Sequence, residues 1–392
     1  MITRGLSKII LSKAAQMPVV AITGPRQSGK TTFAKALFPK YDYVNLEFPD
    51  TRAQAIDDPR LFLTTYKNGV VIDEIQRVPE LFSYIQGIVD ETGKAGNFIL
   101  TGSQNFLLLE QISQTLAGRA ALFHLLSFSI TEIASAFPIA DNFAKYAFTG
   151  TYPRIYDKQL QPTDWYPWYI SSYIERDVRQ IISVKDLYKF QTFLKICAGR
   201  VGQLFNASLI ANEIGVNYKT IQSWISILEA GFIIFLLQPF HKNYNKRLTK
   251  SPKIYFYDTG LICSLLGIRS ADELNFHYLK GEIFESLIFS EMKKHIVNTN
   301  NHSGLYFWQD NAGHEIDCII ETGSHVTALE IKSSTTMNSD FFKNLRYWQN
   351  LTGCSTDQLT LVYGGTENQQ WSKGRVFGWK NANQVIKMNI VK

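Results

Sequence analysis

The sequence has no long hydrophobic run, no leader-like N-terminus and no paired cysteines, and each lack removes a class of protein. The longest apolar stretch, Gly231–Leu237, falls far short of the roughly 20 residues a membrane-spanning helix needs. Met1–Gln16 reads as a short amphipathic helix without the apolar core of a secretory signal. Cys197, Cys263, Cys318 and Cys354 lack C-x-x-C spacing and histidine partners. That pattern excludes a disulfide framework and a zinc site, and it fits free thiols in a reducing compartment. A cytoplasmic protein with no membrane partner is expected. Excess charge is scarce too: 40 Lys+Arg against 34 Asp+Glu leave a net +6, which permits an acidic partner without demanding one. Ordinary core material is plentiful. With 45% hydrophobic and 19% charged residues over 392 positions, two or three soluble globular domains are expected.

Against that plain background, Gly24-Pro25-Arg26-Gln27-Ser28-Gly29-Lys30-Thr31 stands out, followed by Thr32. It fits G-x-x-x-x-G-K-[ST]. An apolar strand candidate, Val19–Ile22, leads into it, and helix-favouring residues, Phe33–Leu37, follow. The two glycines let backbone N–H groups curl around a polyphosphate at the positive end of a helix. Lys30 is expected to reach the β- and γ-phosphates of a nucleoside triphosphate, and the Thr31 hydroxyl to ligate Mg²⁺.

A second apolar run, Gly69-Val70-Val71-Ile72, ends in Asp73-Glu74, as a buried parallel strand carrying a Walker B pair would. Asp73 can hold Mg²⁺ through water, and Glu74 can polarise the attacking water. A third strand candidate, Phe98–Leu100, ends in Thr101-Gly102-Ser103-Gln104-Asn105, where Ser103 is the candidate sensor of the γ-phosphate. Tyr43–Leu46 and Ala120–Leu126 complete the expected sheet. Arg119, in Leu116-Ala117-Gly118-Arg119, is either a finger that completes a neighbouring subunit's site or a surface ion pair.

Past Ile130 the texture changes. Tyr146–Ile182 is rich in aromatics, including Tyr152, Trp165, Tyr166, Trp168, Tyr169 and Tyr173, and reads as a helical connector whose rings form core. Ala207–Val216 reads as a helix and glycine turn, and Asn217–Ala230 as a second helix with Tyr218, Lys219, Gln222 and Ser223 on its polar side. Strand candidates Phe232–Leu237 and Ile254–Tyr257 bracket His241–Lys250, which carries Lys242, Lys246, Arg247 and Lys250. This is the pattern of a winged helix with a basic wing. It suits DNA phosphates; the alternative is a packing or oligomerisation module with a solvated loop.

The last third carries Glu285 on a helix candidate, Gly281–His295. Strand candidates Glu315–Ile320 and Val326–Lys332 follow. The order Glu … Asp317 … Glu330-x-Lys332 is the active-site pattern of PD-(D/E)xK nucleases. Positions i and i+2 of a strand share a face, so Glu330 and Lys332 point into one site. Asp317, Glu330 and the Ile331 carbonyl are expected around Mg²⁺ with Glu285 adding a ligand, and Lys332 to orient or deprotonate water.

Nearly the whole chain resembles the prokaryotic AAA-type ATPases whose P-loop domain is followed by a C-terminal DUF4143 domain. The resemblance rests on the P-loop through Thr32, Ile72-Asp73-Glu74-Ile75-Gln76, Leu100-Thr101-Gly102-Ser103 and Leu116–Arg119. In the second half it rests on Tyr173-Ile174-Glu175-Arg176-Asp177, Tyr257-Asp258-Thr259-Gly260-Leu261 and the Glu315-Ile316-Asp317 … Glu330-Ile331-Lys332 pair. Gly150-Thr151-Tyr152-Pro153 departs from the double glycine usual there. The resemblance implies ATP binding and hydrolysis by Lys30, Thr31, Asp73 and Glu74, and a nuclease-like C-terminal domain that either cleaves or only binds. Its similarity to archaeal Holliday-junction resolvase cores points to branched DNA. The expected architecture is α/β: an AAA-type ATPase domain with a parallel sheet (1–145), a helical connector or lid (146–186), a winged helix (187–272) and a PD-(D/E)xK nuclease-like domain (273–392). The expected function is a Mg²⁺-dependent ATPase that binds DNA, acting as a homo-oligomer (dimer or ring). The alternative is an ATP-driven regulatory switch whose C-terminal half binds a protein.

Overall fold

The computed structural model describes residues 2–102, 112, 114–174, 187–241 and 251–388. The chain forms two compact units. The first holds residues 1–128 with 230–232 and 297–300, and the second holds 129–229, 233–296 and 301–392.

The first unit is built on five parallel strands, β1 (Val19–Thr23), β2 (Asp42–Asn45), β3 (Val70–Asp73), β4 (Phe98–Thr101) and β5 (Ala120–His124). Their order is β2-β3-β4-β1-β5. Every residue of β1, β3 and β4 is buried, because alternate side chains feed two cores on opposite faces. Val19, Ala21, Val70, Ile72, Phe98 and Leu100 enter one core, while Val20, Ile22, Val71 and Ile99 enter the other with Phe33 and Ala34 of the helix Lys30–Leu37. That explains continuous apolar runs in place of alternation. Helix and strand ends shift by a few residues from expectation, as frayed ends do.

The second unit contains an eight-stranded mixed sheet: β6 (Ile234–Pro239), β7 (Lys253–Phe256), β8 (Gly304–Gln309), β9 (Glu315–Thr322), β10 (His325–Lys332), β11 (Leu359–Tyr363), β12 (Gln369–Trp371) and β13 (Gly374–Gly378). The order is β12-β13-β11-β10-β9-β8-β6-β7. The hairpin expected to belong to a separate wing therefore continues the C-terminal sheet. Strand β6 pairs antiparallel with β7 on one side and parallel with β8 on the other, through Gln238↔Tyr306 and Pro239↔Phe307. Side-chain packing joins these elements further. In the helix Lys280–Thr299, the Ser286 hydroxyl bonds the Phe256 backbone and the Ser290 hydroxyl donates to Tyr257 O at 2.6 Å.

The described part of the connector region is largely helical, with Phe143–Thr149, Pro153–Lys158 and Pro162–Tyr169; residues 175–186, with Glu175, Arg176 and Asp177, lie outside the described residues. Its rings are core. Tyr152, Trp165, Tyr166 and Tyr169 are buried; Tyr152 and Trp165 each pack against the other three rings with centres 4.7–6.3 Å apart, whereas Trp168 is 63% exposed. Asp258, buried at the start of the helix Thr259–Leu265, ties this region to the sheet. It accepts hydrogen bonds from Thr151 N (2.7 Å), Thr151 Oγ1 (2.8 Å), Tyr166 Oη (2.6 Å) and Leu261 N (3.0 Å). The helices Leu187–Gly199, Ala207–Ile214 and Tyr218–Ala230 precede β6. Gly215 takes a left-handed φ of 71° at the turn between the second and third, and Ile221, Trp224, Ile225 and Leu228 form the buried stripe of the third. Three of the four cysteines are buried and all are free thiols. No helix among the described residues is long and apolar enough to cross a membrane.

Candidate functional site

The loop after β1 is shaped by backbone before any side chain acts. Gly24 has φ +144°, and a Cβ there would sit 2.2 Å from the Leu125 carbonyl oxygen, so only glycine fits. Gly29, at φ 88°, opens the helix Lys30–Leu37. Arg4, absent from the sequence reading, braces this loop: its guanidinium donates to Ser28 O at 3.1 Å and Leu126 O at 2.5 Å and lies 4.8 Å over the Phe128 ring. A lone arginine near a terminus carries no sequence signal for that contact. Lys30 is buried, with Nζ donating to Gly24 O (3.0 Å) and Pro25 O (2.8 Å). The ammonium thus sits in the concavity that the loop forms.

Asp73 is the centre of the site. Its carboxylate is buried and accepts from Thr31 Oγ1 at 2.7 Å, Tyr43 Oη at 2.9 Å and Thr101 Oγ1. Parallel pairing of β2, β3 and β4 brings Tyr43 and Thr101 to Asp73, and the helix Lys30–Leu37 brings Thr31. Burial, and then the neighbouring Asp73 carboxylate, push the Tyr43 phenol above its ordinary range, so it stays a donor. Lys35 Nζ stands 3.6 Å over the Tyr43 ring. Glu74 follows in a left-handed conformation (φ 56°, ψ 44°), and its Oε2 accepts a hydrogen bond from Gln76 Nε2. Tyr43, Thr101 and Gln76 were missed as site residues. Tyr43 was legible only as a strand member, Thr101 only as part of the polar segment at the end of the Phe98–Leu100 strand, and Gln76 only as a motif letter.

Two further sequence candidates fare differently. Ser103 lies outside the described residues. Arg119 pairs with Asp90 on its own chain, Nε to Oδ1 at 2.5 Å and Nη2 to Oδ2 at 2.9 Å. Its carbonyl accepts from Val19 N at 3.2 Å, which puts Arg119 at the sheet edge opposite the P-loop. That is the surface ion pair the sequence left open.

The second unit gathers its own charged cluster. The β9–β10 register, Leu329↔Cys318, sets Asp317 opposite Glu330. Asp317 Oδ2 accepts from Ile331 N at 2.7 Å and Lys332 Nζ at 3.2 Å, and Lys332 Nζ lies 2.5 Å from Glu330 Oε2. Glu285 accepts from Tyr255 Oη at 2.5 Å, while Lys253 pairs with Glu315. Burial first, then Asp317, pushes both Glu285 and Glu330 up to about 8. Burial works against the charge on Lys332, but Asp317 and Glu330 outweigh it and hold the ammonium above its ordinary range. Lys253 and Tyr255, from the strand assigned to the wing, had no sequence signal linking them to this cluster; the continuous sheet supplies it.

The expected grouping of Asp317, Glu330 and Lys332 is therefore present, but the expected magnesium arrangement is not preformed. Lys332 stands between the two carboxylates, and Asp317 takes the Ile331 N–H. No group of three or more His, Cys, Asp or Glu among the described residues is arranged to hold a metal ion. On the third helix Lys219 is exposed, its N–H donating to Asn217 Oδ1 at 2.8 Å, and Gln222 Nε2 donates to Tyr218 Oη at 2.7 Å. The basic candidates Lys242, Lys246, Arg247 and Lys250 lie outside the described residues.

Three family descriptions match the chain in succession. An AAA domain covers residues 16–134, a domain of unknown function (DUF8612) covers 140–272, and a domain of unknown function (DUF4143) covers 280–382. An uncharacterized protein of Mycobacterium tuberculosis is 29% identical over 354 residues, 89% of this chain and 77% of its own length. An uncharacterized protein of Haemophilus influenzae is 23% identical over 70% of this chain and 74% of its own. Among solved structures, the Walker-type ATPase of Pyrococcus abyssi matches with a TM-score of 0.42 at 12% identity, covering 66% of this chain and 94% of that one.

Proposed function

Because this chain belongs to the AAA-type P-loop ATPases that carry a C-terminal DUF4143 domain, we propose that it is a Mg²⁺-dependent ATPase whose second unit binds DNA. The observation that carries the nucleotide reading is Asp73, buried and bonded to Thr31 at 2.7 Å directly beyond the Lys30 loop. A buried carboxylate beside a helix-N-terminal hydroxyl is the oxygen donor set a hard cation takes. Thr31 and Asp73 would hold Mg²⁺, which supplies charge neutralisation on the β- and γ-phosphates when bound. Residues Gly24–Thr32 wrap the triphosphate with backbone N–H groups, and Lys30 exchanges its loop carbonyls for phosphate oxygens. Glu74 then takes a proton from water as the water oxygen bonds the γ-phosphorus and ADP leaves with the bridging oxygen.

Nucleotide binding is tested with Lys30→Ala, expected to abolish it, and Glu74→Gln, expected to retain bound ATP without turnover. Wild type that neither binds nor hydrolyses ATP overturns the reading. The DNA reading rests on the exposed polar face of Tyr218, Lys219 and Gln222, the basic run Lys242–Lys250, and the Asp317–Glu330–Lys332 cluster. Gel shifts over single-stranded, duplex and four-way junction DNA are expected to show junction preference and weakening with salt. No binding to any of them moves the second unit to the protein-partner alternative. Cleavage of junction DNA with Mg²⁺ or Mn²⁺, lost in Asp317→Ala and Lys332→Ala, would make the cluster a nuclease; its absence leaves a binding fold.

A further inference from the structure

Gln76 sits in the single helical turn Ile75–Arg77 that follows Glu74. Its Nε2 donates to Glu74 Oε2. A carboxylate only accepts, so the amide nitrogen must be the end that faces Glu74, and the orientation of the amide is fixed by chemistry. The other end, Oε1, is then turned away from Glu74. It is buried in a residue only 8% exposed and has no hydrogen-bond partner among the described residues. Folded proteins rarely leave a buried amide oxygen unpaired, and where they do a water or ligand position is the ordinary reason.

The surroundings hold this side chain still. Ile75 and Val78 on either side are buried. The turn is closed by Arg77 N donating to Glu74 O at 2.9 Å, and Arg77 Nη2 is anchored to Glu47 Oε1 at 2.8 Å. Glu74 itself keeps φ 56°, a conformation a non-glycine residue adopts only when its neighbours over-determine it, as they do at functional sites.

We propose that Gln76 positions the water that attacks the γ-phosphate, its amide nitrogen clamping Glu74 and its buried carbonyl oxygen accepting a hydrogen bond from that water. This rests on the nucleotide-site reading above. The attacking water has two protons. One passes to Glu74 as the oxygen bonds the γ-phosphorus and the bond to the bridging oxygen of ADP breaks; the other stays on the new phosphate and points at Gln76 Oε1. Two acceptors on one water aim its lone pair, which is the orientational part of the rate enhancement.

The test uses the full-length chain, phosphate release with Mg²⁺ and ATP, and the Kd of a fluorescent ATP analogue. Gln76→Leu keeps the shape and removes both hydrogen bonds; it is expected to lower kcat about 100-fold with Kd within about twofold of wild type. Gln76→Asn, with its amide drawn back by one methylene, is expected to lose activity too. Gln76→Glu can still accept from water but cannot donate to Glu74, and is expected to recover part of the rate. Wild-type kcat in the Leu or Asn variant overturns the proposal, and so does a Kd that weakens in step with kcat. The Glu74→Gln control separates the two levels. If wild type turns over and Glu74→Gln does not, an unaffected Gln76→Leu sinks this inference alone. No turnover by wild type sinks the nucleotide-site reading and this with it.

Discussion

Glu330→Gln should stabilise the second unit at alkaline pH and change little at acid pH. Glu330 is 1% exposed, and burial, followed by the Asp317 charge, moves its carboxyl from 4.5 up to about 8. Between those values the folded chain keeps a proton that the unfolded chain has lost. The stabilising contribution of the neutral carboxyl is therefore complete below pH 4.5 and disappears as the pH rises through about 8. At about 1.4 kcal/mol per pH unit, ionising this group in place costs up to about 5 kcal/mol. Lys332 and Asp317 share the titration, so the observable gain for the glutamine variant at pH 9 is about 2–3 kcal/mol, against a change of under about 1 kcal/mol at pH 5. Urea unfolding at fixed ionic strength without divalent metal measures it. All seven tryptophans lie between Trp165 and Trp379, within the second unit, so tryptophan fluorescence reports that unit directly. A glutamine variant whose stability relative to wild type is the same at pH 5 and pH 9 refutes the reasoning.

Asp258→Ala leaves the Thr151, Tyr166 and Leu261 donors buried without their acceptor, and a loss of about 3–5 kcal/mol is expected in the same fluorescence assay; a loss under about 1 kcal/mol would mean water replaces the carboxylate. Arg119→Ala removes an exposed pair with Asp90 and is expected to leave both turnover and stability unchanged. A fall in turnover at unchanged ATP affinity would instead assign Arg119 to a neighbouring subunit's site.

Much of the candidate nucleotide site could be read from the chain, because its determinants are local. Gly24 and Gly29 impose backbone conformations within eight residues, and the apolar runs at Val19–Thr23 and Val70–Asp73 read as buried parallel strands. The charged cluster was legible for the same reason: strand periodicity alone puts Glu330 and Lys332 on one face. Local signals failed where contacts cross long stretches of sequence. Arg4 on Ser28 and Leu126, and Tyr43 on Asp73, depend on how strands and termini come together, and no residue pattern announces them.

The sequence by itself determined where the glycine-rich loop and its flanking strand segments lie, since backbone sterics and side-chain alternation act over a few residues, whereas the sheet order β2-β3-β4-β1-β5 came from strand pairing. Only the tertiary structure decided that the Ile234–Phe256 hairpin joins the C-terminal sheet in place of standing apart as a wing. Hydrogen bonds between β6 and β8 depend on which edges are left open once the rest of the chain has folded. That same pairing carries Lys253 and Tyr255 to Glu315 and Glu285, and packing around them, not any motif, sets the charge state of the cluster.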